Sequence, residues 1–286
     1  MTTEVFLATA RRRFHDAVLA SVLRVNPKGV PNNADKDSRI SVRLAEGILD
    51  RLAGQAVAGK ISGQRAGKEF ELACKEYLEY TFPRLAHLRP GRWRIRVGGR
   101  GRMAIADYDQ YEHLAALDQA AKEDPRLAAS LGSDYLIKPD VVVMRLPTSD
   151  GTINADGPLV DSMQARHTPF RQVNRRLPTL HASVSCKWTL RSDRAQNARS
   201  EALNLVRNRK GRLPHIAVVT GEPTPNRIAS IALGTGDIDC VYHFALPELE
   251  ETINDLGLTK LSETLGTMTQ GRRLRDISDL PLDLVI

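Results

Sequence analysis

The chain has 286 residues, 42% of them hydrophobic and 26% charged, which is the balance of a globular protein large enough to bury a full core. No run approaches the roughly 18 uninterrupted apolar residues of a membrane helix, and the basic Arg11-Arg12-Arg13 follows the first apolar residues, the reverse of a secretory signal, so a cytoplasmic protein is expected. Cys74, Cys186 and Cys240 lie too far apart for a disulfide framework or a zinc knuckle, and a formal net charge of +7 suits a polyanionic partner without requiring one.

Residues from about Lys28 to Arg39 are polar and turn-rich and read as a loop. A helix follows, with Ala45, Ile48, Leu49, Leu52 and Ala56 on one stripe. A second helix is expected from about Ser62 to Phe82, stopped by Pro83, with Ala66, Phe70, Ala73, Cys74, Tyr77 and Leu78 as its apolar face. Trp93 to Val97 alternates apolar residues with arginines, as a strand does. A helix near Tyr111 to Lys122 leads to a strong strand signal over Tyr135 to Leu146. Pro147 to Pro178 has no apolar period and reads as a long insertion, a feature that is usually functional or disordered in a compact domain. Leu180 to Leu190 is a strand, and Ser192 is the expected N-cap of a helix reaching Asn208. Pro214 to Gly221 and Ile228 to Leu233 read as buried strands, and Asp239 to Ala245 as a further one. Leu246 to Met268 reads as two helices broken near Gly257. The stretch from about Leu246 to Ile286 is amphipathic, which fits packing on the core or joining subunits. The sum is one α/β domain over residues 1–286, a mixed central sheet flanked by helices.

Asp140 follows Pro139, which cannot donate to a ladder, so a strand edge, bulge or entry point is expected there. Ser185 and Lys187 share one face of their strand, while Cys186 faces the other way and offers its backbone carbonyl. Phosphodiester cleavage needs a carboxylate for a metal ion, a polarised water and a cation near the developing charge. Asp140 and Lys187 on neighbouring strands supply two of these, and Glu201, one to two turns into the next helix, supplies a second carboxylate. Glu71 borders the apolar stripe of its helix, one turn after Gly67. Read singly, each has an ordinary role: a turn aspartate, a snorkelling lysine, two solvated glutamates.

Arg191-Ser192-Asp193-Arg194 opens the helix just beyond the Lys187 strand. Arginine binds guanine bidentately through O6 and N7, and a carboxylate accepts from cytosine N4. Two arginines and one aspartate match two C·G pairs, and a dyad doubles them to CCGG. The alternative is an exposed helix start in which Asp193 offsets the dipole.

Together the pieces lose their independence. Pro139-Asp140, Lys187 and Glu201 resemble the rearranged active site of the CCGG-recognising PD-(D/E)XK restriction endonucleases, in which the acid that ordinarily stands two residues before the lysine is moved to the next helix. Ser185 occupies the usual acid's position here. Arg191-Ser192-Asp193-Arg194 resembles that family's CCGG-reading motif, and Gln64 to Glu71 its helix with a minor-groove Gln and an active-site Glu, Glu69 being the weaker match for the latter. The likeness covers about residues 60–230 and is strongest for the tetrameric type IIF members, above all the one that cuts GCCGGC after its first G to leave a four-base 5′ overhang.

The resemblance implies a PD-(D/E)XK core in a bacterial, cytoplasmic, Mg²⁺-dependent enzyme acting on double-stranded DNA. It implies two Mg²⁺ per site on Asp140 and the Cys186 carbonyl, with Lys187 near the attacking water and Glu71 and Glu201 in support. Asp35 and Arg227, the latter in a Pro-rich turn, are matched to the outer G·C pair, and the 147–178 insertion to the contact between dimers in a homotetramer. The rival expectations are a shape-reading PD-(D/E)XK repair or junction-resolving nuclease and a non-catalytic DNA-binding regulator.

Overall fold

The computed structural model describes residues 4–52, 57–99, 101, 103–133, 135–234 and 236–286, with the side chains of 192–194 left out. Helix α1 (Phe6–Ser21) and the short strand β1 (Arg24–Val25) precede α2 (Arg39–Arg51), β2 (Val57–Ala58) and α3 (Gly63–Thr81). Next come β3 (Trp93–Val97), α4 (His113–Glu123), α5 (Pro125–Leu131), β4 (Val141–Arg145) and the single turn α6 (Asp150–Ile153). The second half runs β5 (Thr179–Lys187), α7 (Ser192–Asn208), β6 (His215–Thr220), α8 (Pro225–Ala232) and β7 (Cys240–His243). It closes with α9 (Leu246–Asp255), α10 (Thr259–Gln270), β8 (Leu274–Asp276) and α11 (Leu280–Asp283).

Strands β3 to β8 form one six-stranded sheet in sequence order, while β1 and β2 pair separately. β3, β4 and β5 are antiparallel; β5 through β8 are parallel. Parallel neighbours need crossovers, and α7, α8 and the α9–α10 pair supply them. The parallel register aligns Lys187, Thr220, His243 and Asp276 in one row across the ends of four strands. β5, central in this arrangement, is buried over seven consecutive residues, as a strand covered on both faces must be. Among the described residues no helix is long and apolar enough to cross a membrane.

The α3 stripe is buried at all six expected positions, and Ser62 Oγ accepts from Arg65 N at 3.2 Å as the N-cap. α2 buries Ala45 and Ile48, with Leu49 and Leu52 partly covered; Ala56 lies outside the described residues. α9 and α10 break at Gly257, whose φ of +62° suits a residue without a Cβ. The C-terminal stretch packs on the core, β8 completing the sheet and Leu280 and Leu284 being buried.

Four expectations are corrected. Ile228–Leu233 is not a strand: Thr224 stands at the N-cap position and Pro225 at N1, and the apolar residues after them are the inner face of α8. Arg227 therefore lies on a helix rather than in a turn. The strand expected over Tyr135–Leu146 starts only at Val141, the residues before Asp140 running as irregular chain. At the start of α7 the N-cap position belongs to Arg191, one residue before Ser192. The 147–178 insertion is built around a buried guanidinium: Arg171 donates to both oxygens of Asp150 (2.9 and 2.5 Å), to the Asp161 carbonyl at 2.9 Å and to the Gln164 carbonyl.

Candidate active site

Asp140 stands at the entry of β4, and carrying the Val141–Val184 pairing one residue further sets it opposite Ser185. Antiparallel pairing thereby brings the start of β4 to the end of β5, 46 residues later in the chain (187 less 141). One carboxylate oxygen, Oδ2, accepts from Lys187 Nζ at 2.7 Å, from Cys186 N at 2.8 Å and from Ser185 Oγ at 3.4 Å. The approach to this point is tight. Gly98 N donates to the Asp140 carbonyl at 2.8 Å, and a Cβ on Gly98 would lie 1.7 Å from the Pro139 oxygen. Only glycine leaves room for the Pro139-Asp140 backbone.

Two further carboxyls feel the Asp140 charge. Glu201, the tenth residue of α7 and so in its third turn rather than its first or second, is pushed up to about 8 by burial and then by Asp140, against the pull of Lys187. Glu71 on α3 is raised by the same two causes, with Lys187 and Lys68 opposing. Glu69 instead lies 3.8 Å from Arg65, so geometry favours Glu71 as the acid facing the site. Burial alone would lower the Lys187 ammonium, but the Asp140 charge and hydrogen bond, with Glu201 behind them, raise it. Carboxyls outnumber cations here, and the exposed atoms are hard oxygen donors, which suits a divalent cation such as magnesium. Among the described residues no three His, Cys, Asp or Glu side chains converge closely enough to enclose a metal. Asp140 is the carboxylate bonded at the strand ends, and Glu71 and Glu201 are near enough to feel its charge.

Of these groups Glu71 and Lys187 line a cleft of about 360 Å³ between α3, β5 and α7, together with Gln64, Lys68 and Asn197. Gln64 is exposed on the first turn of α3. A second cleft of about 340 Å³ shares Gly63 and Trp188 with the first and is lined by Asn33, Asp35, Arg191 and Arg227. Arg227 pairs with Asp35, whose carboxyl it holds below the usual range. The side chains of Asp193 and Arg194 lie outside the described residues; the backbone there is the first turn of α7.

Sequence reasoning did not single out three residues that shape this region. Trp188 stacks at an angle on Phe70 (5.1 Å) and edge-on to Phe244 (5.3 Å), and its Nε1 donates to Asn32 Oδ1 at 3.2 Å. Asn33, 1% exposed, donates to the Gly221 carbonyl at 2.9 Å. Glu222, 0% exposed, is a carboxylate folded inward beside Arg227. A tryptophan directly after Lys187 was the one legible signal among them.

The family model for the NgoMIV restriction enzyme matches residues 14–286. The curated type II restriction enzyme NgoMIV of Neisseria gonorrhoeae is 54% identical over 278 residues, covering 96% of this chain and 97% of the relative. The α/β architecture, with its mixed sheet and flanking helices, agrees with a restriction-endonuclease-like fold. Such enzymes act on double-stranded DNA with a divalent cation, and neither a shape-reading repair nuclease nor a non-catalytic regulator accounts for likeness over almost the whole length. The chain belongs to the NgoMIV restriction enzyme family and is a type II site-specific deoxyribonuclease.

Proposed function

We propose that this endonuclease recognises GCCGGC and cuts after the first G, leaving a four-base 5′ CCGG overhang. Two Mg²⁺ would be held by Asp140 and the Cys186 carbonyl, supplying an activated water and charge neutralisation at the scissile phosphate. Lys187 holds a proton beside that water's position, and Ser185 orients Asp140 through its hydroxyl. Glu71 and Glu201, both raised by burial and then by the Asp140 charge, take up the outer positions where water or metal contacts would lie. The observation that most supports this reading is the gathering of Lys187, Glu71 and Glu201, from three elements, around Asp140: the first bonds its carboxylate and the other two feel its charge.

In the same reading Arg191, Asp193 and Arg194 address the CCGG pairs from the major groove, and Gln64 the minor groove. Asp35 and Arg227 address the outer G·C pair. The opening of Arg191, Asp35 and Arg227 onto one cleft supports that division. Residues 1–286 act as one endonuclease domain with its catalytic core at about 60–230. Leu159, Met163 and Val173 expose 68–70% of their surface on the 147–178 insertion, an arrangement suited to joining two dimers into a homotetramer.

Digestion of a plasmid in Mg²⁺ followed by sequencing of the ends tests the site directly. Termini other than 5′ CCGG at GCCGGC would refute the assigned specificity. Arg194→Ala should lose ~1–3 kcal/mol of discrimination at one CCGG pair; an equal loss on scrambled duplex would remove Arg194 from base reading. Leu159→Ser with Met163→Ser should halve the assembly to a dimer in sedimentation, and an unchanged tetramer would place the contact elsewhere.

A further inference from the structure

The end of β6 runs into Thr220-Gly221-Glu222, and this turn touches the Lys187 strand end, the loop before Asp35, the segment before Arg191 and the helix that carries Arg227. Thr220 Oγ1 donates to the Lys187 carbonyl at 2.8 Å, and Gly221 N to the same oxygen at 3.3 Å. The Gly221 carbonyl accepts from Asn33, two residues before Asp35. A Cβ on Gly221 would lie 2.3 Å from the Trp188 ring, so the turn is pressed onto that side chain.

Glu222 is the centre of this arrangement. Its carboxylate is fully buried, a costly placement unless each oxygen is used. Oε2 accepts from Leu190 N at 3.0 Å, immediately before Arg191, and lies 3.8 Å from Arg227 Nη1. Oε1 accepts from Thr224 N at 3.2 Å, at the N-cap position of the helix that carries Arg227. Arg227 in turn pairs with Asp35. One carboxylate therefore holds the backbone of the Arg191 segment and the guanidinium of Arg227 together, on a turn bonded to the main chain of Lys187.

We infer that Glu222 is a positioning residue for sequence discrimination, setting the spacing between the CCGG-reading helix start and the outer-pair readers and tying both to the strand end that carries Lys187. The inference rests on the proposed reading of Arg191 and Arg227. Glutamine at 222 keeps one acceptor and turns an amide donor toward a backbone N–H and a guanidinium, so both segments lose their fixed separation. A residue that only stabilised the fold would change the amount of active enzyme and nothing else.

The test uses the full chain carrying Glu222→Gln, beside Arg227→Ala, with kcat and KM measured on duplexes holding GCCGGC, an inner-pair change or an outer-pair change. E222Q is expected to reduce discrimination at both inner and outer pairs by about tenfold, the scale of one base contact. R227A should reduce it at the outer pair alone. If R227A relaxes the outer pair while E222Q lowers all three substrates by one common factor, the positioning role is overturned and the base reading stands. If R227A leaves outer-pair discrimination intact, the base reading fails first and the inference falls with it. Should E222Q not fold, Glu222→Asp retains the charge but is one methylene too short to reach both segments, and the same ratios decide.

Discussion

Two buried groups of charge lie along the same end of the sheet, three strands apart. On β8, Asp276 stands in the register row that begins with Lys187, and Arg11 reaches it from α1. Arg11 donates to Asp276 at 2.9 and 3.0 Å and to Glu248 at 2.6 and 2.8 Å, a fork filled on both sides. Asp276 also accepts from Leu246 N and from Ser278. Burial pushes both carboxyls up, but the guanidinium bonds outweigh it and hold them below their usual values. At Asp140 the parts are similar and the balance is opposite. Three carboxyls share one half-buried ammonium; Glu201 is pushed up to about 8 and Glu71 is raised as well. A filled network fixes a fold, whereas a cluster short of positive charge draws in a cation and a polyanion.

Mutations at the two groups should therefore fail in different ways. Asp140→Ala is expected to reduce cleavage by at least about 10³-fold while sparing binding of the proposed GCCGGC site, since the proposed base readers lie elsewhere. Wild-type cutting by that variant would remove Asp140 from the chemistry. Arg11→Met should behave conversely. It strands the buried Asp276 carboxylate and the partly buried Glu248, so a loss of up to about 3–5 kcal/mol in denaturant unfolding is expected, with kcat per folded molecule unchanged. A marginal stability change would mean the fork contributes little.

The smallest effect concerns Glu201. Its folded-state pKa of about 8 lies above its ordinary 4.5. Without metal, its contribution to stability is complete below about pH 4.5 and declines as pH rises to about 8, because the unfolded chain releases the proton first. Glu201→Gln should remove that decline, leaving the variant more stable than wild type at pH 8 in chelator, by on the order of 1 kcal/mol or more. Parallel stability curves from pH 5 to 8 would contradict it.

The two regions also differ in how far the sequence discloses them. The α3 stripe was legible because six apolar residues recur at helical spacing between a serine cap and a proline stop. Asp140 and Lys187 were legible as ends of strong strand signals, and strand pairing then supplied their meeting. The Arg11 fork was not: Arg11 is one of three consecutive arginines, and its partners lie 237 and 265 residues away. Helix α1 went unread because those arginines interrupt Ala10, Phe14 and Val18, and β8 because three residues carry no period. Ile228–Leu233 was misread since a short apolar run fits helix and strand alike, and Thr224-Pro225 was the deciding signal. Glu222, within Gly-Glu-Pro-Thr-Pro, looks like a solvated turn acid, and only tertiary packing turns it inward.

The contact at Gly98 has a practical bearing. A single methyl there collides with the peptide that delivers Asp140, although Gly98 itself carries no functional group. A random library screened for clones that survive the nuclease's toxicity would then recover changes at codon 98 alongside the expected acidic and basic positions. Sorting those clones by solubility would distinguish a jammed catalytic loop from a chain that never folded.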